Sequence, residues 1–271
     1  MSPFEPALAA LAALALLFTA VWRLSVHRSD AGIIDVFWAP GFVLVGLVEA
    51  TLVAPLSATG LLLLALTGIW ATRLALYLLG RHRRAAQEDA RYAAMREAGG
   101  PEWPRRSLYT VFLVQALALW AIATPLHAAL LPGAGPVLSI PLAIAGGLIF
   151  LVGFGIETIA DAQLARFKSN PDHHGRLLTG GLYAFCRHPN YLGEILVWWG
   201  LGLVAYGLSD RWWALIGPAL LTYFILKVSG IPPLEIHLSR RPGFADWAAR
   251  TPALWPRWGR SGSEVSNEKG S

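Results

Sequence analysis

Long stretches of apolar residues dominate the chain, and shorter polar stretches separate them. A helix needs about 20 consecutive, mainly apolar residues to cross a bilayer. Seven segments meet this requirement, at residues 5–23, 33–54, 57–80, 108–131, 138–159, 191–208 and 212–230. The pattern predicts an all-α, polytopic membrane protein, built as a bundle of about seven transmembrane helices.

The composition agrees with this interpretation. Of the 271 residues, 55% are hydrophobic and 14% charged, whereas about 25% are charged in a typical soluble domain. This balance excludes a disordered or nucleic-acid-binding chain. The single cysteine, Cys186, excludes a disulfide framework or a four-cysteine zinc site, and we expect no metal. We expect one domain over residues 1–260 and a disordered polar tail over residues 261–271.

Lysine and arginine residues cluster at every second connection between the predicted helices. The clusters follow the first, third, fifth and seventh segments, whereas the other connections carry only Arg211. Cytosolic loops of membrane proteins carry an excess of these residues. The alternation predicts an N-terminus outside the cell and a C-terminus in the cytosol. The expected partners are the lipid bilayer and a hydrophobic small molecule, without an obligate protein partner.

Polar side chains within the predicted helices concentrate in the cytosolic half. Ionisable groups at membrane depth are costly, and they mark functional sites by default. Capping or snorkelling at helix ends is the alternative, but the outer ends show no comparable set; only Glu49 and His127 lie toward them. We therefore predict a polar cavity that opens to the cytosol, with these members: Asp35, Arg73, Gln115, Glu157, Asp161, Glu194 and Lys227.

Aromatic residues accompany two of these charges at helical spacing. Trp70, Arg73 and Tyr77 share one helix face, and Trp38 follows Asp35 on another. An aromatic stripe is typical of plain packing, but an arginine within it favours a lined cleft. Trp38, Trp70 and Arg73 are therefore candidate substrate-binding residues.

The segment G-G-L-Y-A-F-C-R-H-P-N-Y-L-G-E, at residues 180–194, precedes and opens the sixth predicted helix. Pro189 falls in the first turn, where proline is tolerated, and Asn190 and Glu194 share a face. Arg187 and His188 lie just before the helix N-terminus, where free N–H groups attract anions. This indicates an anion-binding corner beside a buried carboxylate, although a proline-initiated helix with polar caps has the same pattern.

R-H-P-N-Y-L-G-E at 187–194, followed by V-W-W-G, resembles the C-terminal signature of the membrane steroid 5-alpha-reductase family. The chain is more closely similar to a bacterial inner-membrane branch of it. Further motifs carry this resemblance: I-D-V-F-W at 34–38, E-D-A-R-Y at 88–92, F-K-S-N-P-D at 167–172 and R-R-P-G-F-A-D-W at 240–247. It implies a seven-helix bundle in the bacterial inner membrane that holds NADPH in a cytosol-facing cavity and reduces a C=C bond conjugated to a carbonyl in a steroid-like or lipid-like substrate.

The resemblance also implies site residues. The cofactor-binding positions are Arg81, Arg84, Asp161, Lys168, Arg187, Asn190, Tyr191, Glu194 and Lys227. Asp35 is the nearest match to the glutamate that polarises the carbonyl in steroid reductases. Trp70 stands where the family's tyrosine is expected, and an indole is a poor proton source, so Tyr77 or Asp35 is the candidate substitute.

Two other functions are open. The isoprenylcysteine and phospholipid methyltransferases, which use S-adenosylmethionine, are similar in R-H-P-x-Y and in a glutamate after the last span, here Glu235. The arginines and tyrosines between Arg73 and Tyr92 suit a dinucleotide with several phosphates and favour the reductase. A lipid-binding or transport protein is the third possibility, but transporters have broken spans or repeats around a midplane site, and neither is evident.

Overall fold

The computed structural model describes residues 4–85, 87–133 and 136–255, and these contain helices and no β-strand. The predicted polar tail lies outside the described residues. Twelve α-helices follow one another: α1 Glu5–Arg28, α2 Ile34–Leu52, α3 Ala58–Arg84, α4 Ala90–Gly99, α5 Trp103–Ser107, α6 Val114–Ile122, α7 Thr124–Leu130, α8 Ile140–Ser169, α9 Pro189–Ser209, α10 Ile216–Tyr223, α11 Ile231–Leu238 and α12 Phe244–Arg250.

Six helical stretches are long and apolar enough to cross a membrane, and a bent pair brings the number to seven. The six are Glu5–Arg28, Ala31–Leu52, Ala58–Arg84, Ile140–Ser169, Pro189–Ser209 and Trp212–Leu238. The prediction of an all-α, multi-pass membrane protein is therefore confirmed. Local sequence explains several helix starts: Ser57 caps α3, Ser139 caps α8, and Pro189 occupies the first turn of α9.

The fourth predicted span differs from a straight helix. The axis bends by 52° between the stretch Ala90–Ile122 and α7. Pro125 lies in the first turn of α7 and has no N–H to donate to the preceding turn, which explains the break at Ala123. The bend packs against the start of α10: Thr124 Oγ1 lies 3.0 Å from the Ala214 carbonyl oxygen and accepts from the Gly217 N–H at 2.8 Å.

The last candidate span is longer than the predicted segment 212–230, because it reaches Leu238. The helix is interrupted at Ser229 and Gly230, and α11 begins directly after them, with Pro232 and Pro233 in its first turn.

Near the C-terminal end of α2, Glu49 forms a buried hydrogen bond with His127 of α7, and His127 Nε2 lies 3.0 Å from the Trp120 carbonyl oxygen. This pair lies at the opposite end of α2 from Asp35.

Helices α8 and α9 form the closest contact in the bundle. Glycines at intervals of seven residues line both sides of it: Gly146 and Gly153 on α8, and Gly193, Gly200 and Gly207 on α9. A Cβ atom added to any of the five would lie between 2.5 and 2.9 Å from a backbone nitrogen of the other helix. Small residues allow helix backbones in a membrane to approach this closely.

We expect Gly200→Val to destabilise the protein by about 1–3 kcal/mol or more, because its side chain would overlap the Phe150 backbone. Gly147→Val is the matched control on α8, since a Cβ there meets no atom within 4 Å. Thermal unfolding in detergent, followed by tryptophan fluorescence, measures the difference. Equal melting temperatures for the two variants would contradict the close packing.

Candidate active site

The centre of the site is a buried arginine between α3 and α8. Arg73 NH1 donates to Glu157 Oε1 and Arg73 NH2 to Asp161 Oδ2, both at 2.8 Å, while Arg73 Nε donates to Thr158. Trp70, one turn earlier on α3, donates its indole N–H to Glu157 Oε2 at 3.0 Å. Glu157 and Asp161 are four residues apart and present both carboxyls on one face of α8. A buried arginine requires such partners.

Helix α9 adds two polar groups to this centre. The Asn190 side chain hydrogen-bonds Asp161, and Glu194 interacts electrostatically with Glu157, Asp161 and Arg73. The approach depends on Gly193, where a Cβ would lie 2.5 Å from the Glu157 nitrogen. The sequence predicted Glu157 as a member of the polar cavity but gave it no catalytic, cofactor-binding or substrate-binding role. Its spacing from Asp161 was the available signal.

A second group of charges surrounds Asp35 in the first turn of α2. Asp35 accepts hydrogen bonds from the Tyr92 hydroxyl at 3.0 Å, Arg81 NH2 at 3.1 Å and Arg91 NH2 at 3.2 Å. Tyr92 and Arg91 lie on α4, so their bonds attach the E-D-A-R-Y segment to the N-terminal end of α2. Glu88 extends the attachment by accepting from the Ala31 N–H at 2.6 Å.

Asp89 completes this second group. Burial of its carboxyl opposes ionisation, but the hydrogen bonds and positive charge of Arg91 outweigh burial and hold the pKa of Asp89 below its ordinary value. A cavity of about 90 Å³ lies beneath the segment, lined in part by Asp35, Arg81 and Asp89. The sequence identified the E-D-A-R-Y motif, but neither Arg91 nor Tyr92 was predicted as a partner of Asp35.

Two tyrosines lie between the two groups. Tyr77 on α3 interacts electrostatically with Asp161, Arg73, Arg81 and Arg84. Tyr191 on α9 interacts with Glu194, and also with the guanidinium groups and carboxylate around Asp35. The predicted positions on α2, α3, α8 and α9 therefore meet at one end of the bundle, which is the end predicted to face the cytosol.

Two cations at this end have no acidic partner of their own. Lys168, near the end of α8, interacts electrostatically with Arg81 and Arg241 as well as with Asp89. Arg84 lies in the last turn of α3. Neither Arg84 nor Lys168 forms a salt bridge with any residue that the structure describes. Like charges brought together without neutralisation favour an anionic ligand.

Arg187 is bonded within the protein. Its guanidinium donates to the Glu235 carboxylate at 2.8 and 2.6 Å, to the Ala248 carbonyl at 3.1 Å and to the Thr251 carbonyl. His188 Nε2 lies 2.9 Å from the same Glu235 oxygen. Burial lowers the pKa of His188 despite that carboxylate. Arg187 thus joins the start of α9 to α11 and the C-terminal segment, and its predicted cofactor contact stays a prediction.

Three other predicted residues have distinct surroundings. Trp70 is fully buried, and its ring packs against Phe42 and Trp198 with centroids 5.9 and 5.5 Å away. Trp38 is half-buried at the edge of this aromatic group, 5.7 Å from Phe42. Lys227 is exposed and forms no salt bridge within the described part of the chain, and its predicted cofactor contact stays a prediction.

Comparisons with known proteins agree with this architecture. Residues 21–251 match the sequence profile of a family described as "Protein of unknown function (DUF1295)". No solved structure matches the chain. The resemblance to steroid 5-alpha-reductases, and the similarity to methyltransferases, are both confirmed by the curated relatives.

Three relatives illustrate the range. A probable O-methyltransferase of Ustilaginoidea virens is 30% identical over 112 residues, 41% of this chain and 37% of that protein. A steroid 5-alpha-reductase of Gossypium hirsutum is 36% identical over 63 residues, 23% of this chain and 24% of that protein. The human 3-oxo-5-alpha-steroid 4-dehydrogenase 2 is 29% identical over 112 residues, 41% of each chain. The chain spans less than half the length of these relatives.

Replacing Arg187 tests its structural role. We expect Arg187→Ala to release the segment 244–255 from α9, since the Ala248 and Thr251 carbonyls and the Glu235 carboxylate all lose their donor. Chymotrypsin should then cleave the C-terminal segment at least about tenfold faster, as measured by mass spectrometry of the fragments. The control is Arg250→Ala, an exposed arginine that bonds within its own helix. Equal cleavage of both variants would contradict the role.

Cys186 tests the same corner chemically. Burial raises the pKa of its thiol to about 11, which is typical of a packed cysteine and not of a reactive one. N-ethylmaleimide at about pH 8 should label the native protein about a hundredfold or more slowly than the SDS-denatured protein. Mass spectrometry follows the labelling without interference, because the chain has a single cysteine. Similar rates in both states would contradict the buried thiol.

Proposed function

Since the chain belongs to the DUF1295 family, we propose that it is a membrane reductase that uses NADPH. The proposed reaction is reduction of a C=C bond conjugated to a carbonyl in a steroid-like or lipid-like substrate. NADPH when bound supplies the hydride. The proposed location is the bacterial inner membrane, with the N-terminus outside and the C-terminus cytosolic, in keeping with the alternation of arginine clusters.

The observation that carries the proposal is the meeting of unpaired cations with hydrogen-bonding groups at the cytosolic ends of α3, α8 and α9. Arg84 and Lys168 would hold the phosphates, for which arginine and lysine are suited. Arg81 is paired with Asp35 and Asp89 in this structure and would join them once those bonds open. Asp161 and Asn190 would bind the ribose or the carboxamide. The residues present therefore fit a dinucleotide, although Arg187 has no free donor directed away from Glu235 and the C-terminal segment.

The space for the cofactor lies under the α4 segment. Ligand pockets are usually about 300–1,000 Å³, and the cavity there is about 90 Å³. The bonds that hold the segment at Asp35 are polar, and Arg91, which donates one of them, is about two-fifths exposed. In the proposed function this segment moves to admit the nucleotide.

Tyr77 is the better candidate to polarise the substrate carbonyl. The Asp35 carboxyl already accepts three hydrogen bonds from Arg81, Arg91 and Tyr92, so both of its oxygens are engaged within the protein. The Tyr77 hydroxyl has no hydrogen bond with any described residue and lies among the charges of the site. Trp38 and Trp70 would form the apolar wall, with Arg73 beneath them.

A groove of about 600 Å³ leads from the side of the bundle to the same region. Apolar residues of α3, such as Ala65, Gly68 and Ile69, line it together with Phe154 of α8, and Arg73 lies at its wall. Such a groove suits an apolar substrate that arrives from the bilayer.

A methyltransferase that uses S-adenosylmethionine is the second candidate. The specific observation in its favour is the Glu235 carboxylate, held by Arg187 and His188 at the start of α9. An O-methyltransferase among the relatives supports it too. The unpaired cations Arg84 and Lys168 favour the reductase, because S-adenosylmethionine has no phosphate to occupy them.

Binding of NADPH to the detergent-purified protein tests the proposal. We expect Lys168→Ala and Arg84→Ala each to weaken binding about tenfold, the effect of losing one charge-assisted phosphate contact. The control is Arg106→Ala, an exposed arginine on α5 at the cytosolic side. Fluorescence titration with NADPH measures the binding, and mass spectrometry identifies any ligand that co-purifies. Co-purified S-adenosylhomocysteine, or binding unaffected by both substitutions, would overturn the reductase.

A further inference from the structure

The buried centre of the site holds more acidic groups than basic ones. Glu157, Asp161 and Glu194 converge on Arg73, which is the guanidinium that interacts with all three. With every carboxyl ionised, the group would have a net charge of −2, counted as one cation against three anions. Uncompensated charge at membrane depth is unfavourable in free energy, and a proton on one of the carboxyls reduces this charge.

Hydrogen bonds identify two of the carboxyls as acceptors. Both oxygens of Glu157 accept, one from Arg73 and one from the Trp70 indole. Asp161 accepts from Arg73 at 2.8 Å and bonds the Asn190 side chain. Neither the guanidinium nor the indole N–H accepts a hydrogen bond, so a proton on the bonded oxygens would have no acceptor there. The positive charge of Arg73 is thus directed at Glu157 and Asp161.

Glu194 has no such donor. Its carboxyl forms no hydrogen bond or salt bridge with a residue that the structure describes, and it lies half-buried at the start of α9. The charged and titratable groups that face it are Arg73 on α3, Glu157 and Asp161 on α8, and Tyr191 on its own helix. Arg73 is already shared between the two carboxylates of α8. Glu194 thus meets two negative charges without a cation of its own.

We propose that Glu194 carries a proton at neutral pH and is the acid that protonates the substrate. This inference rests on the proposed reductase function. It supplies the proton source that Trp70, at the expected tyrosine position, cannot provide. The role differs from the cofactor contact that the family resemblance implies for this residue, and an OH group can donate to a carboxamide oxygen before it gives up its proton.

The balance of the step is complete. One alkene carbon receives a hydride from the dihydronicotinamide, which is oxidised, and the electron pair of the C=C bond moves toward the carbonyl. The proton of Glu194 ends on the other alkene carbon, and the O–H bond breaks. The Glu194 carboxylate then recovers a proton from cytosolic water. Tyr77 would stabilise the carbonyl oxygen with a hydrogen bond and need not lose its own proton.

Infrared spectroscopy of the unliganded protein tests the proton itself. The C=O stretch of a protonated carboxyl is separate from carboxylate bands, and the wild type minus Glu194→Gln difference at about pH 7 should contain it. The matched variant Glu157→Gln should leave this band in place. Other buried acids such as Glu49 cancel in the difference. A difference spectrum without the band, or its loss in Glu157→Gln alone, would overturn the inference.

A second variant keeps the test decisive if Glu194→Gln does not fold. Glu194→Asp retains an acid, and its protonated-carboxyl band should shift to a new frequency and remain. An unshifted band in this variant would place the proton elsewhere. With a substrate in hand, Glu194→Gln should reduce turnover by about a hundredfold or more while NADPH affinity changes less than about twofold.

The outcomes separate this inference from the proposed function. If the band depends on Glu194 but NADPH does not bind, the proton is where we place it and the reductase is wrong. If NADPH binds with the expected dependence on Arg84 and Lys168 but the band is insensitive to Glu194, the reductase stands and the proton has another source.

Discussion

The close contact between α8 and α9 is the constraint on which the site depends. Five glycines at intervals of seven residues allow the two backbones to touch along most of their length. Without that approach, the carboxyls of α8 would not meet the first turns of α9. The contact nearest the cytosol, between Gly193 and the Glu157 backbone, lies beside the groups that carry the proposed chemistry. The surface along which α8 and α9 pack therefore also carries the groups of the proposed site.

Pairing divides the cationic residues of the cytosolic end into two kinds. Arg73 and Arg187 donate to carboxylates and carbonyls, so each links helices that are distant in sequence. Arg84 and Lys168 are not neutralised in this way. The division matters because sequence motifs treat all of them as equivalent positive charges, whereas only an unsatisfied cation is available to a ligand without breaking the fold.

The sequence was sufficient for the architecture and for part of the site. Apolar run length located the spans, because the bilayer sets a minimum helix length, and polar residues at depth pointed to Arg73, Asp161 and Glu194. The bend at Ala123 was missed, since a proline in an apolar run is compatible with either a kink or a helix start. The hydrogen-bond partners of the arginines could not be predicted either, because nothing in the local sequence indicates that Arg187 bonds Glu235, which lies 48 residues later.

The arrangement around Asp35 has a consequence for ligand binding. Its carboxylate binds the guanidinium groups of Arg81 on α3 and Arg91 on α4 in the manner of an internal anion, and the bond to Arg91 helps to attach α4. An external anion that binds Arg91 competes with Asp35 and loosens the attachment of α4 at once. Binding of a charged molecule and displacement of the covering segment are thus the same event, in which an external anion replaces Asp35 as the partner of an arginine. The equilibrium between the two partners depends on ionic strength.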